Sequence, residues 1–194
     1  MKRFSEPLRN KLPSLFLEAF SVVLAVLLAL AVDQWREDRA NAALAQLAAD
    51  RIESEVRANR QELSRAAGRH GEIYEDLETS LEQLPERGSN VDFEVNFAIA
   101  VLSSSAWETS RATRAVHHMD FDWVLRIAKV YDLQSLYLDS QREVVRHIST
   151  LGAGGAEPGE ILQGLLGRIA TVRDLERGLL AAYDEVLAAP PPTS

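Results

Sequence analysis

The chain of 194 residues contains no cysteine. No disulfide can hold it, and thiolate catalysis and Cys-ligated zinc are excluded. Aromatic residues are few, at 7%, and β-branched residues are sparse beside alanine, leucine, arginine and glutamate, a mix that favours helix over strand. There is no basic excess. The formal charge is −8, which removes the positive footprint that binding to DNA or RNA needs, so no nucleic acid partner is expected. The motifs of catalysis are missing as well. H-E-x-x-H and E-x-x-H are absent, which argues against a zinc protease and a di-iron bundle. G-x-S-x-G is absent, so Ser103, Ser104 and Ser105 are no nucleophile elbow. The glycine-rich run Leu151–Gly159 lacks the GK[ST] ending of a phosphate-binding loop and reads as a linker. The expectation is a non-enzyme with no cofactor and no metal.

What the chain does have is one long apolar run. Leu15–Val32 reads LFLEAFSVVLAVLLALAV, with a single charge at Glu18. As a helix of about 1.5 Å rise per residue, Pro13–Val32 spans the ~30 Å hydrocarbon core of a bilayer. Residues 1–17 carry a net +3 and the part beyond Glu18 a net −10. By the positive-inside rule the N-terminus is then cytoplasmic and the bulk exported. An exported domain without disulfides fits a bacterial periplasm, with the span in the inner membrane. Lys2–Lys11 and Ala29-Leu30-Ala31 also suit a cleaved signal peptide. An uncleaved anchor is preferred because the apolar run is long and passes into Asp33-Gln34-Trp35-Arg36 with no helix breaker. Trp35, Arg36 and Arg39 suit the headgroup zone. The divisions expected are a basic N-terminus at 1–12, an anchor at 13–34, a helical exported domain at 35–189 and a tail at 190–194.

Two features of the span are candidate interaction sites. Ser21, Ala25 and Ala29 recur every four residues and form a small-residue stripe on which two anchors can pack. Glu18 extends that row, and a carboxylate inside a span is costly enough to suggest a partner across a helix pair. The bland alternative is an interfacial charge one turn from the headgroups.

Beyond the span the pattern stays helical. Ile52, Val56, Asn59, Leu63, Ala66, His70, Ile73, Leu77, Ser80 and Leu84 alternate steps of four and three, the heptad period of a coiled coil. The seam faces either the domain's own helices or a second copy, which makes Asn59 and Leu63 candidate contact residues. Leu84-Pro85 is expected to stop this helix. Val91–Leu102 is read as a second, apolar helix. Ser105 and Glu108 make a capping box for a short helix from Ala106. His117–Asp120 is a corner, with Asp120 capping a helix from Phe121 to about Thr150. That helix is expected to bury Trp123, Ile127, Val130, Tyr131, Leu138, Val145 and Ile148. Pro158 opens a final helix that ends near Leu187, with one apolar face of Leu162, Leu165, Ile169, Val172, Leu179, Tyr183 and Val186. The fold class is all-α: a transmembrane helix running into a long helix, packed with further helices as an antiparallel bundle.

Candidate sites are few. His117, His118, Asp120 and Asp122 are the nearest thing to a metal cluster, but adjacent helical histidines point about 100° apart, and a cap and corner explain them better. Glu143 and His147 make a routine helix pair. Trp107 is a large amphipathic group, either core or partner groove. The segments PSLFLEAFSVVLAVLLALAVDQWREDR (13–39), IESEVRANRQEL (52–63) and LSSSAWETSRATRAVHHMDFDWVLRIAKVYDLQSLY (102–137) resemble a family of small uncharacterised bacterial single-pass membrane proteins. The family has an N-terminal anchor, an E-x-x-x-N helix and a later S-x-A-W-E-T-like segment. The resemblance implies the same topology and assigns no activity. It marks Glu55, Asn59, Trp107, Glu108 and Thr109 as positions to test. The function expected is a non-catalytic scaffold or interaction module. The alternative is a sensory or accessory subunit that binds a small ligand or an envelope protein. The partners expected are the lipid bilayer, a second copy in a homodimer and an envelope protein.

Overall fold

The computed structural model describes residues 12–87, 96–150 and 157–189. Among these the fold is all helix: α1 (Leu12–Arg87), α2 (Ser105–Ala112), a 3-10 turn (Ala115–His118), α3 (Phe121–Thr150) and α4 (Pro158–Ala188). The chain divides into two compact units, Met1–Leu44 and Ala45–Ser194, and α1 runs through the division. The basic N-terminus to residue 11, the linker residues 151–156 and the tail at 190–194 lie outside the described residues.

Among the described residues of the first unit, α1 is the one element. Every large apolar side chain from Phe16 to Val32 is between 45% and 73% exposed. Soluble monomers rarely leave a contiguous apolar surface of this kind in water. Among the described residues, this is the one helix long and apolar enough to cross a membrane. Trp35 lies just beyond it, with the Arg39 guanidinium 5.5 Å over its ring.

In the second unit the α1 seam is filled. Ile52, Val56, Leu63 and Ala66 have no exposed surface, and Asn59, His70 and Leu77 are also buried. Their neighbours in the core come from α3 (Trp123, Ile127, Val130, Tyr131) and α4 (Leu162, Leu165, Ile169, Val172, Leu179, Tyr183). The seam therefore closes within this chain's own bundle. Each fully buried aliphatic side chain contributes about 1.5–3 kcal/mol. Cross-links fix the directions. Tyr131 and Gln134 of α3 bond to Glu55 and Asn59 of α1, so these two helices run the same way. Glu176 and Asp184 of α4 bond to His70 and Arg60, so α4 runs antiparallel to both.

Three local expectations are corrected. First, α1 passes Pro85 and ends at Arg87. In the last turn the missing proline N–H costs a single hydrogen bond, so the helix tolerates it. Second, the apolar helix expected over Val91–Leu102 is not formed at 96–102, which is neither helix nor strand, and 91–95 lie outside the described residues. Ala98 meets His70, and Ser103 meets Asn59. Five residues thus cover the same length as eleven helical ones, about 16 Å at 3.3 Å per extended residue and at 1.5 Å per helical residue. The segment is extended and runs antiparallel to α1. Third, Val145 of α3 is exposed and Val144 is buried in its place.

Candidate functional site

An extended chain with no sheet partner must satisfy its N–H and C=O groups elsewhere. Here side chains of α1 and α3 do so. The Gln141 amide accepts from Ala100 N (2.8 Å) and donates to Ala100 O (3.1 Å). The Asn59 amide does the same at Ser103, accepting from N at 2.9 Å and donating to O at 2.7 Å. Gln134 Nε2 adds a second donor to Ser103 O at 3.1 Å. His70 Nε2 donates to Ala98 O at 2.6 Å. Three amides and a histidine thus stand in for a neighbouring strand.

The segment delivers its end to Glu55 of α1. One carboxylate oxygen, Oε2, accepts from Ser103 Oγ (2.6 Å) and from the Ala106 N–H (3.0 Å), while Oε1 accepts from Tyr131 Oη (2.6 Å). The Ala106 N–H is one of the free donors in the first turn of α2. The capping box expected at Ser105 is therefore replaced by a cap from another helix. Ser104 is the N-cap by position but makes no capping bond; its hydroxyl donates to Glu108 at 2.8 Å. Burial alone pushes the Glu55 carboxyl up. The bonds from Ser103, Tyr131, Ala106 and Trp107 outweigh that and hold it below its ordinary value. Trp107 lies over Tyr131 with ring centroids 5.6 Å apart and planes 3° from parallel. The motifs E-x-x-x-N and S-S-S-A-W-E are distant in sequence and meet here.

Further along, His70 and Glu176 form a buried pair, with Nδ1 to Oε1 at 2.5 Å. Nε2 donates to a carbonyl, so the two ring nitrogens tie Glu176 to the extended segment. The single Tyr137 hydroxyl proton is shared between Glu176 Oε1 (3.2 Å) and Gln141 Oε1 (3.1 Å). Tyr183 Oη donates to Gln134 Oε1 at 2.6 Å. Burial, above all, raises the hydroxyls of Tyr131, Tyr137 and Tyr183 far above the ordinary tyrosine value, so all three act as neutral donors.

The sequence candidates fall in two groups. Glu18, Ser21, Ala25 and Ala29 lie on the exposed helix of the first unit, where Ser21 Oγ donates back to Glu18 O at 2.8 Å. Asn59, Leu63 and Trp107 lie inside the second unit, at 3%, 0% and 9% exposure. Asp120 caps α3 through Trp123 N at 2.8 Å, and His117 and His118 are exposed at the corner. Among the described residues no group of three His, Asp or Glu side chains converges as a metal site. Glu143 pairs with Arg146 rather than with His147. Gln134, Tyr137, Gln141 and Glu176 were not legible as core residues. For the extended segment a signal was available, the alternation Val91, Phe93, Val95, Phe97, Ile99, Val101 in the sequence, whose period of two is that of an extended chain.

No family model, no curated protein and no solved structure matches the chain. The resemblance seen in residues 13–39, 52–63 and 102–137 therefore yields no family assignment. Fold and site define an all-helical bundle joined to an exposed apolar helix, with no catalytic constellation evident among the described residues.

Proposed function

We propose that the chain is a membrane-anchored helical scaffold or interaction module, set in a bacterial inner membrane with the N-terminus cytoplasmic and the bundle periplasmic. The observation that carries this is the exposure of the whole apolar face from Phe16 to Val32, which only lipid or another apolar helix can cover. The basic flank before the span and the acidic domain after it support the orientation. The non-catalytic part rests on the polar interior. Glu55, Asn59, His70, Gln134 and Gln141 are engaged in holding the fold, which supports a structural role for them. The test is alkaline carbonate extraction of bacterial membranes, combined with alkaline phosphatase fused after Ser194. Retention in the pellet and an active fusion support the reading. Release by alkali overturns the anchor, and an inactive but well-expressed fusion overturns the orientation.

A second reading, a sensory or accessory subunit, is favoured by one observation: Glu176 is buried against His70, yet it also lines an open groove.

A further inference from the structure

The groove lies between α1 and α4. It has a volume of about 360 Å³, and Ala67, Tyr74, Ala170, Arg173, Glu176 and Leu180 form much of its wall. That is the lower end of the range for small-molecule sites. Two charged groups in it are incompletely used. The Arg173 guanidinium rests 4.6 Å over the Tyr74 ring, and among the described residues no carboxylate pairs with it. Its neighbour Arg177 is paired with Asp174. Glu176 is only 2% exposed. Its Oε1 takes both His70 and Tyr137, while Oε2 accepts no hydrogen bond among the described residues. Glu176 lines the groove, and Oε2 is the atom that a ligand N–H can bond there.

Charge and spacing select the ligand. Arg173 and Glu176 are three residues apart on one helix, so their Cβ atoms are about 5–6 Å apart. An anion alone meets the carboxylates of Glu176 and Asp174, and a metal ion meets the guanidinium groups of Arg173 and Arg177 beside them. A molecule with an ammonium and a carboxylate on adjacent atoms satisfies both groups, and Ala67, Ala170 and Leu180 supply an apolar wall for the rest. We infer that this groove binds a zwitterionic α-amino acid with an apolar side chain. The ammonium donates to Glu176 Oε2, and the carboxylate accepts from the Arg173 guanidinium. The inference deepens the sensory reading, because Glu176 leads through His70 to Ala98 and the extended segment.

The test is calorimetric titration of the full chain in lipid nanodiscs with L-leucine, and with the two analogues lacking one charge, isoamylamine and 4-methylpentanoate. Leucine is expected to bind at least tenfold more tightly than either. Arg173→Gln removes most of the advantage of leucine over isoamylamine, and Ala170→Trp, which fills the groove, abolishes binding. Both positions are half-buried, so these variants test the site without depending on Glu176→Gln, which strikes the core. No heat with leucine or L-phenylalanine at about 10 mM overturns the site, as does binding that persists unchanged in Ala170→Trp or equal affinity for the analogues. Hydrogen exchange separates the two readings. Slower exchange at Ala98–Ser103 with leucine bound supports the link to the extended segment. Binding without that change upholds the site and removes the sensory role.

Discussion

Glu55 of α1 accepts the N–H of Ala106, a residue 51 positions further along the chain, at 3.0 Å. A long helix thereby caps a short one, and the same carboxylate orients Tyr131 beneath Trp107. Replacing it with alanine leaves the first turn of α2, Ser103 Oγ and Tyr131 Oη without their acceptor. Glu55→Ala is expected to lower unfolding free energy by about 1–3 kcal/mol, and a urea melt followed by circular dichroism measures it.

Acid gives an independent check of the same bonds. The Glu55 carboxyl lies below its ordinary value of 4.5 in the fold. A group depressed in this way binds more protons unfolded than folded, so its stabilisation is complete above the unfolded value and is lost as pH falls through the folded one. Glu55→Gln is expected to be less stable than the parent near neutrality, with the difference shrinking below about pH 4.5. A constant difference from pH 7 to pH 3 would show that the carboxylate charge does not contribute.

Gln141 carries both backbone groups of Ala100. Gln141→Leu keeps the bulk and removes the amide, stranding a buried N–H and C=O. A loss of about 2–4 kcal/mol is expected from two unsatisfied groups. Hydrogen exchange should rise selectively over 98–103, while α4 keeps its protection in the remaining folded population.

The three long helices were legible because each repeats its apolar face over many turns. The α4 face Leu162, Leu165, Ile169, Val172, Leu179, Tyr183 and Val186 is buried as its spacing foretells. The step from Val172 to Leu179 skips Glu176, which occupies the same face; a carboxylate there reads as solvent-exposed until His70 appears opposite it. Gln134 and Gln141 were hidden for the same reason. The extended segment was missed because its apolar density suggested a helix, whereas its period was that of a strand. Glu55 as the cap of α2 was beyond local reading, since a capping box is sought within a few residues and this acceptor comes from another helix.

The span makes a separate prediction. A carboxylate at the centre of a transmembrane helix costs about 2.5–3.5 kcal/mol on insertion scales. Ala25→Asp should shift a measurable share of the protein from the alkali-resistant pellet to the supernatant. Ala43→Asp, exposed on α1 beyond the apolar run, should not. Equal fractionation of the two variants would speak against Phe16–Val32 as the anchor.

The closure of the α1 seam within one chain is tested most directly by photo-leucine at position 63 in native membranes, with the products mapped by mass spectrometry. Leu63 has no exposed surface. The predicted product is an intrachain cross-link from α1 to α3 or α4 in a species of monomer mass. A predominant adduct between two copies, or to a foreign protein, would contradict a seam closed by its own bundle.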